Sequence, residues 1–322
     1  MNSETLTQVL ISDLDLENRL TDFSLNNDGC PEKLMDSVKE IGIRHPISIC
    51  FTNKPYKIIS GHKRVQAAIK AGLTSIPAFL LPTMDGALVL NLKENFALRH
   101  YSDIEKGCIL NKLLAEGIQE NTIIDLYMPL LELERSKKIF KDLILVNKII
   151  PKLQKLLHRL SVPNKVYQVF FTWDHENQEA AEKIFAATRP GVNKCRHLLE
   201  LVEEISKRDN IIPKEIFSTP ATIVTLGNKN LTPSQKYDRI HETMQITRYP
   251  ILSDLKKQVA RALDEIKLDD KTRFKYQEAF ENDEMKLELK FRDERELSQQ
   301  VEKIFQALQS GSIEKLIKII KG

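Results

Sequence analysis

Cysteine is scarce in this chain and never clustered. The four residues, Cys30, Cys50, Cys108 and Cys195, form no CxxC pair. That spacing argues against a zinc ribbon or a disulfide framework and fits reduced thiols in a cytosolic protein. No apolar run approaches the ~20 residues of a membrane-spanning helix. The opening Met1-Asn2-Ser3-Glu4-Thr5-Leu6 has no basic region leading into an apolar one, so no secretory signal is read there. Charge of one sign is also lacking. Against 45 Asp and Glu stand 48 Lys and Arg, a formal net charge of +3, so a nucleic-acid surface has to be a local patch. Hydrolase signatures are absent: there is no HExxH, no Ser-His-Asp arrangement, and His45, His100 and His158 have no partner at catalytic spacing. Trp173-Asp174-His175 suggests packing of Phe170 and Trp173, with Asp174 capping the following helix.

What is present suits a helix-rich protein of two or three domains: 322 residues, 42% hydrophobic and 29% charged. In the first hundred residues short strands alternate with helices. Strands are predicted around 9–11, 46–51, 57–59 and 76–81, and helices over 31–40, 62–70 and 87–98. Beyond residue 101 strand signals nearly vanish. Ser102 and Glu105 form a capping box that opens a helix. A second helix follows at 120–127 and a third over 134–146, the outline of a helix-turn-helix unit. Further helices are expected at 149–160, 178–187 and 192–207. Residues 213–233, with Pro213, Pro220, Gly227 and Pro233, suggest an irregular linker or exchange region. Helices over 234–266, 294–308 and 313–320 surround the alternating strand 285–291. That strand needs a partner, either 274–280 or the same strand of a second chain. The fold class is therefore α+β, mostly α, with domains at 1–100, 101–212 and 234–322.

The chain is organised around residues 56–72. A β-branched strand breaks at Ser60-Gly61 and turns into a helix, which places Gly61, His62, Lys63 and Arg64 at its N-terminus. Free N–H groups and the helix dipole favour a phosphate there. Two consecutive cations, unfavourable with the dipole alone, suggest that an anion is expected, and Arg64 can grip two of its oxygens. His62 could contact phosphate or ribose, act as a base, or be simply exposed. The second feature is a basic stretch over 132–159, with Arg135, Ser136, Lys137, Lys138 and Lys141 at the start of the third helix. Charge alone also fits a solvated helix face; in a helix-turn-helix these residues would meet DNA.

These pieces resemble the ParB family. Residues 1–100 are similar to its N-terminal domain, a fold shared with sulfiredoxin. Gly61-His62-Lys63-Arg64 stands where the family has Gly-x-Arg-Arg. Gly42-Ile43-Arg44-His45-Pro46-Ile47 and Gly72-Leu73-Thr74-Ser75-Ile76-Pro77 resemble its approaches to two strands. The stretch from Glu94 to Glu105 resembles its E-N-x-x-R box, with Leu98 at the usual arginine place and Arg99 next. The resemblance to the family's helix-turn-helix domain, up to about residue 208, is looser, and the last hundred residues match by position only.

The resemblance implies CTP binding, with Arg64 and Arg99 on the phosphates and Glu94 and Asn95 near Mg²⁺. The shifted arginine implies weak or absent hydrolysis. It further implies double-stranded DNA as partner, a homodimer, a partition ATPase as a further partner, no membrane, a cytoplasmic, nucleoid-associated location, and a role in plasmid or chromosome partition or in transcriptional regulation. The alternative is a nucleotide-dependent small-molecule kinase or phosphotransferase on the same fold. It lacks a second reactive group beside the turn and leaves two hundred following residues without a task.

Overall fold

The structure, a computed structural model, describes residues 5–25, 31–95, 99–266, 271–277 and 284–321. The chain divides into two compact units, residues 1–199 and 200–322.

The first unit begins with a five-stranded mixed sheet: β1 (Thr5–Leu10), β2 (Leu14–Asp15), β3 (Ile47–Cys50), β4 (Tyr56–Ser60) and β5 (Ser75–Leu81). The spatial order is β1-β5-β3-β4-β2. β3 lies parallel to β5 and antiparallel to β4. All four β3 residues are buried, as expected of a central strand covered on both faces. Helices α1 (Glu32–Ile41) and α2 (His62–Lys70) lie on one side. There Val65 and Ala68 of α2 pack with Ile47, Ile49, Ile58 and Ile76. On the other side α3 (Ala87–Asn95) packs Ala87 against Cys50 and Ile59. Buried Asn91 of α3 donates to the Ile59 carbonyl at 2.5 Å. The helix predicted over 87–98 is described to Asn95; Leu98, like Cys30, lies outside the described residues.

Helix α4 (Asp103–Ala115) starts at the expected capping box: Ser102 accepts from the Glu105 amide, and Glu105 accepts from the Ser102 amide. Gly117, at φ +81°, follows its end. Helix α5 (Glu120–Thr122) continues as a wider turn over Ile123–Tyr127. A 3-10 turn, Pro129–Leu131, and Glu132 in the left-handed region then reverse the chain. Helix α6 (Lys137–Ile144) begins three residues later than predicted, because Ser136 caps it by accepting from the Ile139 amide. The α4–α6 crossing is close: a side chain at Gly107 would lie 2.5 Å from the Leu143 carbonyl oxygen. One core joins Leu88 and Leu92 of α3 to Ile109, Leu113, Ile123, Phe140 and Leu143, so the α3 layer and the helix-turn-helix share apolar packing.

Helices α7 (Pro151–Arg159), α8 (Asn164–Tyr167), α9 (His175–Thr188) and the long α10 (Val192–Asp209) follow. Phe170 packs edge-on against Trp173 at 5.1 Å between ring centroids, and Asp174 accepts from the Asn177 amide at 2.9 Å. The packing and capping expected around Trp173-Asp174-His175 are both present.

In the second unit, the stretch expected to be irregular holds two short helices, α11 (Pro213–Phe217) and α12 (Pro220–Gly227). Their prolines stand at the first helical position, where no N–H is needed, so residues that look like breakers act as starters. Helices α13 (Pro233–Arg248) and α14 (Pro250–Ile266) meet at Tyr249-Pro250. Strand β6 (Thr272–Tyr276) pairs antiparallel with β7 (Met285–Leu289), the intrachain choice of the two anticipated. Helices α15 (Glu294–Gln309) and α16 (Ser312–Lys321) close a small core with α14, built on Val259, Ala262, Leu316 and Ile320.

Candidate functional site

Gly61 is where β4 becomes α2. Its φ of +101° lies in the region open to glycine, and a Cβ there would stand 2.6 Å from Ile47 Cγ2. The turn therefore needs glycine twice over, for conformation and for space. It forms part of the wall of a cavity of about 600 Å³, within the usual range for a ligand pocket. His62, Lys63, Arg64, Asn95 and Arg99 line the same cavity, so two separate sequence motifs converge on one space.

The cationic side is held by backbone. Arg64 Nη1 donates to the His45 carbonyl at 2.8 Å and to the Pro46 carbonyl, which anchors the guanidinium and leaves further N–H groups for an anion. Burial lowers the Arg64 pKa, opposed by Glu94, yet a guanidinium remains charged at any working pH. Arg99 lies 4.8 Å from the Tyr101 ring centroid and pairs with Glu105. Asn95 donates through Nδ2 to the Asn91 carbonyl at 2.8 Å and to Asn91 Oδ1 at 3.0 Å, which leaves its own Oδ1 to accept. Glu94 is exposed and accepts from Ser48 Oγ at 3.3 Å; it does not form part of the cavity wall. Of these two residues expected near Mg²⁺, which takes few protein ligands and completes its shell with phosphate and water, Asn95 lines the cavity and Glu94 does not.

Another part of the wall was not legible in the sequence. Thr21, Asp22, Phe23 and Ser24 come from the irregular segment after β2. Thr21 Oγ1 donates to the Ile58 carbonyl at 2.8 Å, and Lys112 Nζ donates to the Asp22 carbonyl at 2.6 Å. No periodicity marks such a segment; only the tertiary bonds fix it. His62 is 8% exposed, which removes the reading of a simply exposed ring.

The basic residues expected to meet DNA separate by role. Lys137, Lys138 and Lys141 are exposed on α6, Arg135 is exposed just before it, and Ser136 is the cap. Phe140 and Leu143, on the opposite stripe, are buried. Among the described residues no ion pair engages these four cations.

The model of the ParB N-terminal domain matches residues 1–96. Over 86 residues the chain is 36% identical to a probable chromosome-partitioning protein ParB of Coxiella burnetii, covering 26% of this chain and 30% of that protein. Over 130 residues it is 27% identical to a probable plasmid-partitioning protein ParB of Thermus thermophilus, covering 35% and 44%. The match thus spans under half the length of these ParB relatives. A solved structure of C-terminally truncated Caulobacter crescentus ParB with CTP-gamma-S aligns over 61% of this chain and 99% of that one, at 20% identity and a TM-score of 0.23. The kinase alternative gains no support from these relatives, all of them partition proteins.

Proposed function

We propose that this chain is a ParB-like DNA-binding protein switched by a nucleotide, CTP with Mg²⁺, and acting in DNA partition or transcriptional regulation. The observation that carries the reading is the convergence of Gly61, Lys63, Arg64, Asn95 and Arg99 on one cavity within a ParB N-terminal domain. Backbone N–H groups at the α2 start, two flanking cations and Arg99 would neutralise a polyphosphate. Glu94 and Asn95 would hold the metal, which would supply charge neutralisation between phosphate oxygens. Hydrolysis is weak or absent in this reading, because Arg99 stands one place beyond the usual arginine and is already paired with Glu105.

DNA would lie against α6, with Arg135, Lys137, Lys138 and Lys141 on the phosphates or base edges. The shared α3–α4 core offers a mechanical path between the two sites. The second unit would make the homodimer. Val301, Phe305 and Leu308, each more than half exposed, recur on one face of α15 at helical spacing. A partition ATPase is the expected further partner, and the nucleoid the expected location.

Isothermal titration with CTP, ATP and ADP plus Mg²⁺, with and without duplex DNA, tests the reading. CTP binding that weakens on Arg64→Ala and changes with DNA is the expected result. Binding of ATP or ADP but not CTP would return the kinase alternative.

A further inference from the structure

The two edges of the five-stranded sheet differ in character. At one, β2 is two residues long and carries Asp15. At the other, β1 runs six residues in unbroken register with β5, and no strand among the described residues pairs with its outer side. Edge strands are ordinarily blunted by shortness, charge, proline or a bulge. β1 has none of these; it reads Thr-Leu-Thr-Gln-Val-Leu. The strands of the second unit are charged, with Arg273 and Lys275 on β6 and Lys286 and Glu288 on β7.

Register fixes which backbone groups are open. Ile11, just past β1, donates its N–H to the Thr74 carbonyl at 3.0 Å. Along an antiparallel strand, residues bonded to the partner alternate with residues whose groups point away. Counting back from Ile11, Val9 and Thr7 bond to β5, opposite Ile76 and Ala78. Pro77, which has no N–H to give, falls opposite Gln8, in a pair whose groups point away from each other. The N–H and C=O groups of Leu6, Gln8 and Leu10 therefore point out of the open edge. Their side chains share the face opposite to that of Val9, which packs with Val65 and Ala68 of α2. Leu6 is 59% and Leu10 52% exposed, with exposed Gln8 between them.

This pattern is symmetrical about Gln8. A second β1 laid antiparallel, with Gln8 facing Gln8, sets Leu6 against the partner's Leu10 and Leu10 against the partner's Leu6. In that register the outward groups of both strands meet, and each pair exchanges both N–H···O bonds. The glutamine amides, donor and acceptor at once, face each other across the twofold axis, and no charge is buried. We infer that β1 is a self-association edge, through which two copies of this chain join their sheets antiparallel about Gln8. Such an isologous contact closes with two copies. The inference requires neither the nucleotide reading nor the α15 face.

The test is cross-linking at the axis. Gln8→Cys, in the full chain at micromolar concentration, is treated with a short bismaleimide, and wild type controls for the native cysteines. Opposed Cα atoms of a bonded pair lie about 5.5 Å apart, within the linker's reach. The expected result is a covalent dimer from Gln8→Cys and none from wild type. Adding Leu6→Lys/Leu10→Lys, which opposes like charges at both flanking pairs, should slow cross-linking by about tenfold, the scale of two cross-strand pairs. Adding Leu6→Lys/Leu10→Glu instead sets each introduced lysine against the partner's introduced glutamate and should restore most of the rate. A parallel pairing would oppose like charges in both variants. Because both replace the same exposed leucines, their comparison cancels a shared effect on folding. No cross-link beyond wild type would overturn the inference and leave the edge to an extended segment of another protein. Cross-linking indifferent to the charges, or no faster in the lysine–glutamate variant than in the two-lysine one, would overturn it as well.

Discussion

Arg99 on the cavity wall donates through Nη2 to Oε1 of Glu105 in α4, and Glu105 is 1% exposed. The same carboxylate accepts from the Ser102 amide at 3.2 Å and faces His158 Nδ1 of α7 at 3.7 Å. One side chain of the candidate nucleotide pocket is thus tied to the first helix of the candidate DNA-binding unit. Removing one partner of a buried pair leaves the other charge without compensation, at a cost of about 3 kcal/mol or more. Arg99→Ala should lower the unfolding free energy in urea by about that amount. Arg99→Lys should recover only part, since an ammonium does not reproduce the guanidinium fork. A loss under about 0.5 kcal/mol, the size of an exposed pair, would show that the Arg99–Glu105 bridge does not hold the elements together.

Gly107 carries the second prediction. Its hypothetical Cβ would meet the Leu143 carbonyl oxygen at 2.5 Å and Val146 Cγ2 at 2.7 Å. Backbone cannot rotate away as a side chain can, so Gly107→Ala must push α6 from α4. Overpacking of this kind costs about 1–3 kcal/mol. Gly227→Ala is the control: it lies at the end of α12 with nothing within 4 Å of the added carbon. Denaturation midpoints should fall for Gly107→Ala and hold or rise slightly for Gly227→Ala. DNA affinity should fall with the first, because α6 is displaced.

His62 gives the pH dependence. Burial lowers its folded pKa below the ordinary 6.5, with Asp22 opposing. The unfolded chain then binds more protons than the folded one between the two values, so stability rises with pH across that window. The full contribution is present above about pH 6.5 and is lost progressively as pH falls towards the folded pKa. His62→Gln, which cannot titrate, should flatten that part of a stability profile measured from pH 4.5 to 7.5. An unchanged slope in the variant would assign the acid sensitivity to another group.

Lys137 and Lys138 test the nucleic-acid surface. Both are exposed at the first turn of α6, where they hold up no core residue. Lys137→Glu/Lys138→Glu should therefore leave the melting temperature nearly unchanged while abolishing retardation of duplex DNA. If both lysines meet phosphates, replacing them by glutamine should reduce the slope of log K against log salt by about 2. Retained binding in the charge-reversed variant would move the DNA surface away from α6.

Much of the architecture follows from local signals. The capping box at Ser102 and Glu105, the glycine at residue 61 and the alternation in β7 each act within a few residues, and each appears where the pattern put it. The misses share one cause. Ser136 rather than Glu134 starts α6 because a side-chain cap, not charge periodicity, decides the first turn. Pro213 and Pro220 start helices because nothing local distinguishes a starter from a breaker. The Thr21–Ser24 part of the pocket wall rests on Thr21 and Lys112, whose bonds reach to Ile58 and Asp22 across the fold. The cationic part of the site was legible because Gly61–Arg64 is a contiguous motif; the part from Thr21 to Ser24 was not, because it joins that motif around the cavity only after folding.

The second unit yields the last prediction. Val301, Phe305 and Leu308 line one face of α15, while Ala307 on the other side faces the core with Leu316 and Ile320. Such a stripe is wider than the scattered exposure that a monomer carries without explanation. If it is the dimer face, Phe305→Asp/Leu308→Asp should convert the protein to a monomer by sedimentation velocity at micromolar concentration. The melting temperature of the variant should then become independent of protein concentration, because a dimer gains stability by mass action and a monomer does not. A variant that still sediments as a dimer would exclude this face. The open edge of β7, which pairs only with β6 among the described residues, would become the next surface to block.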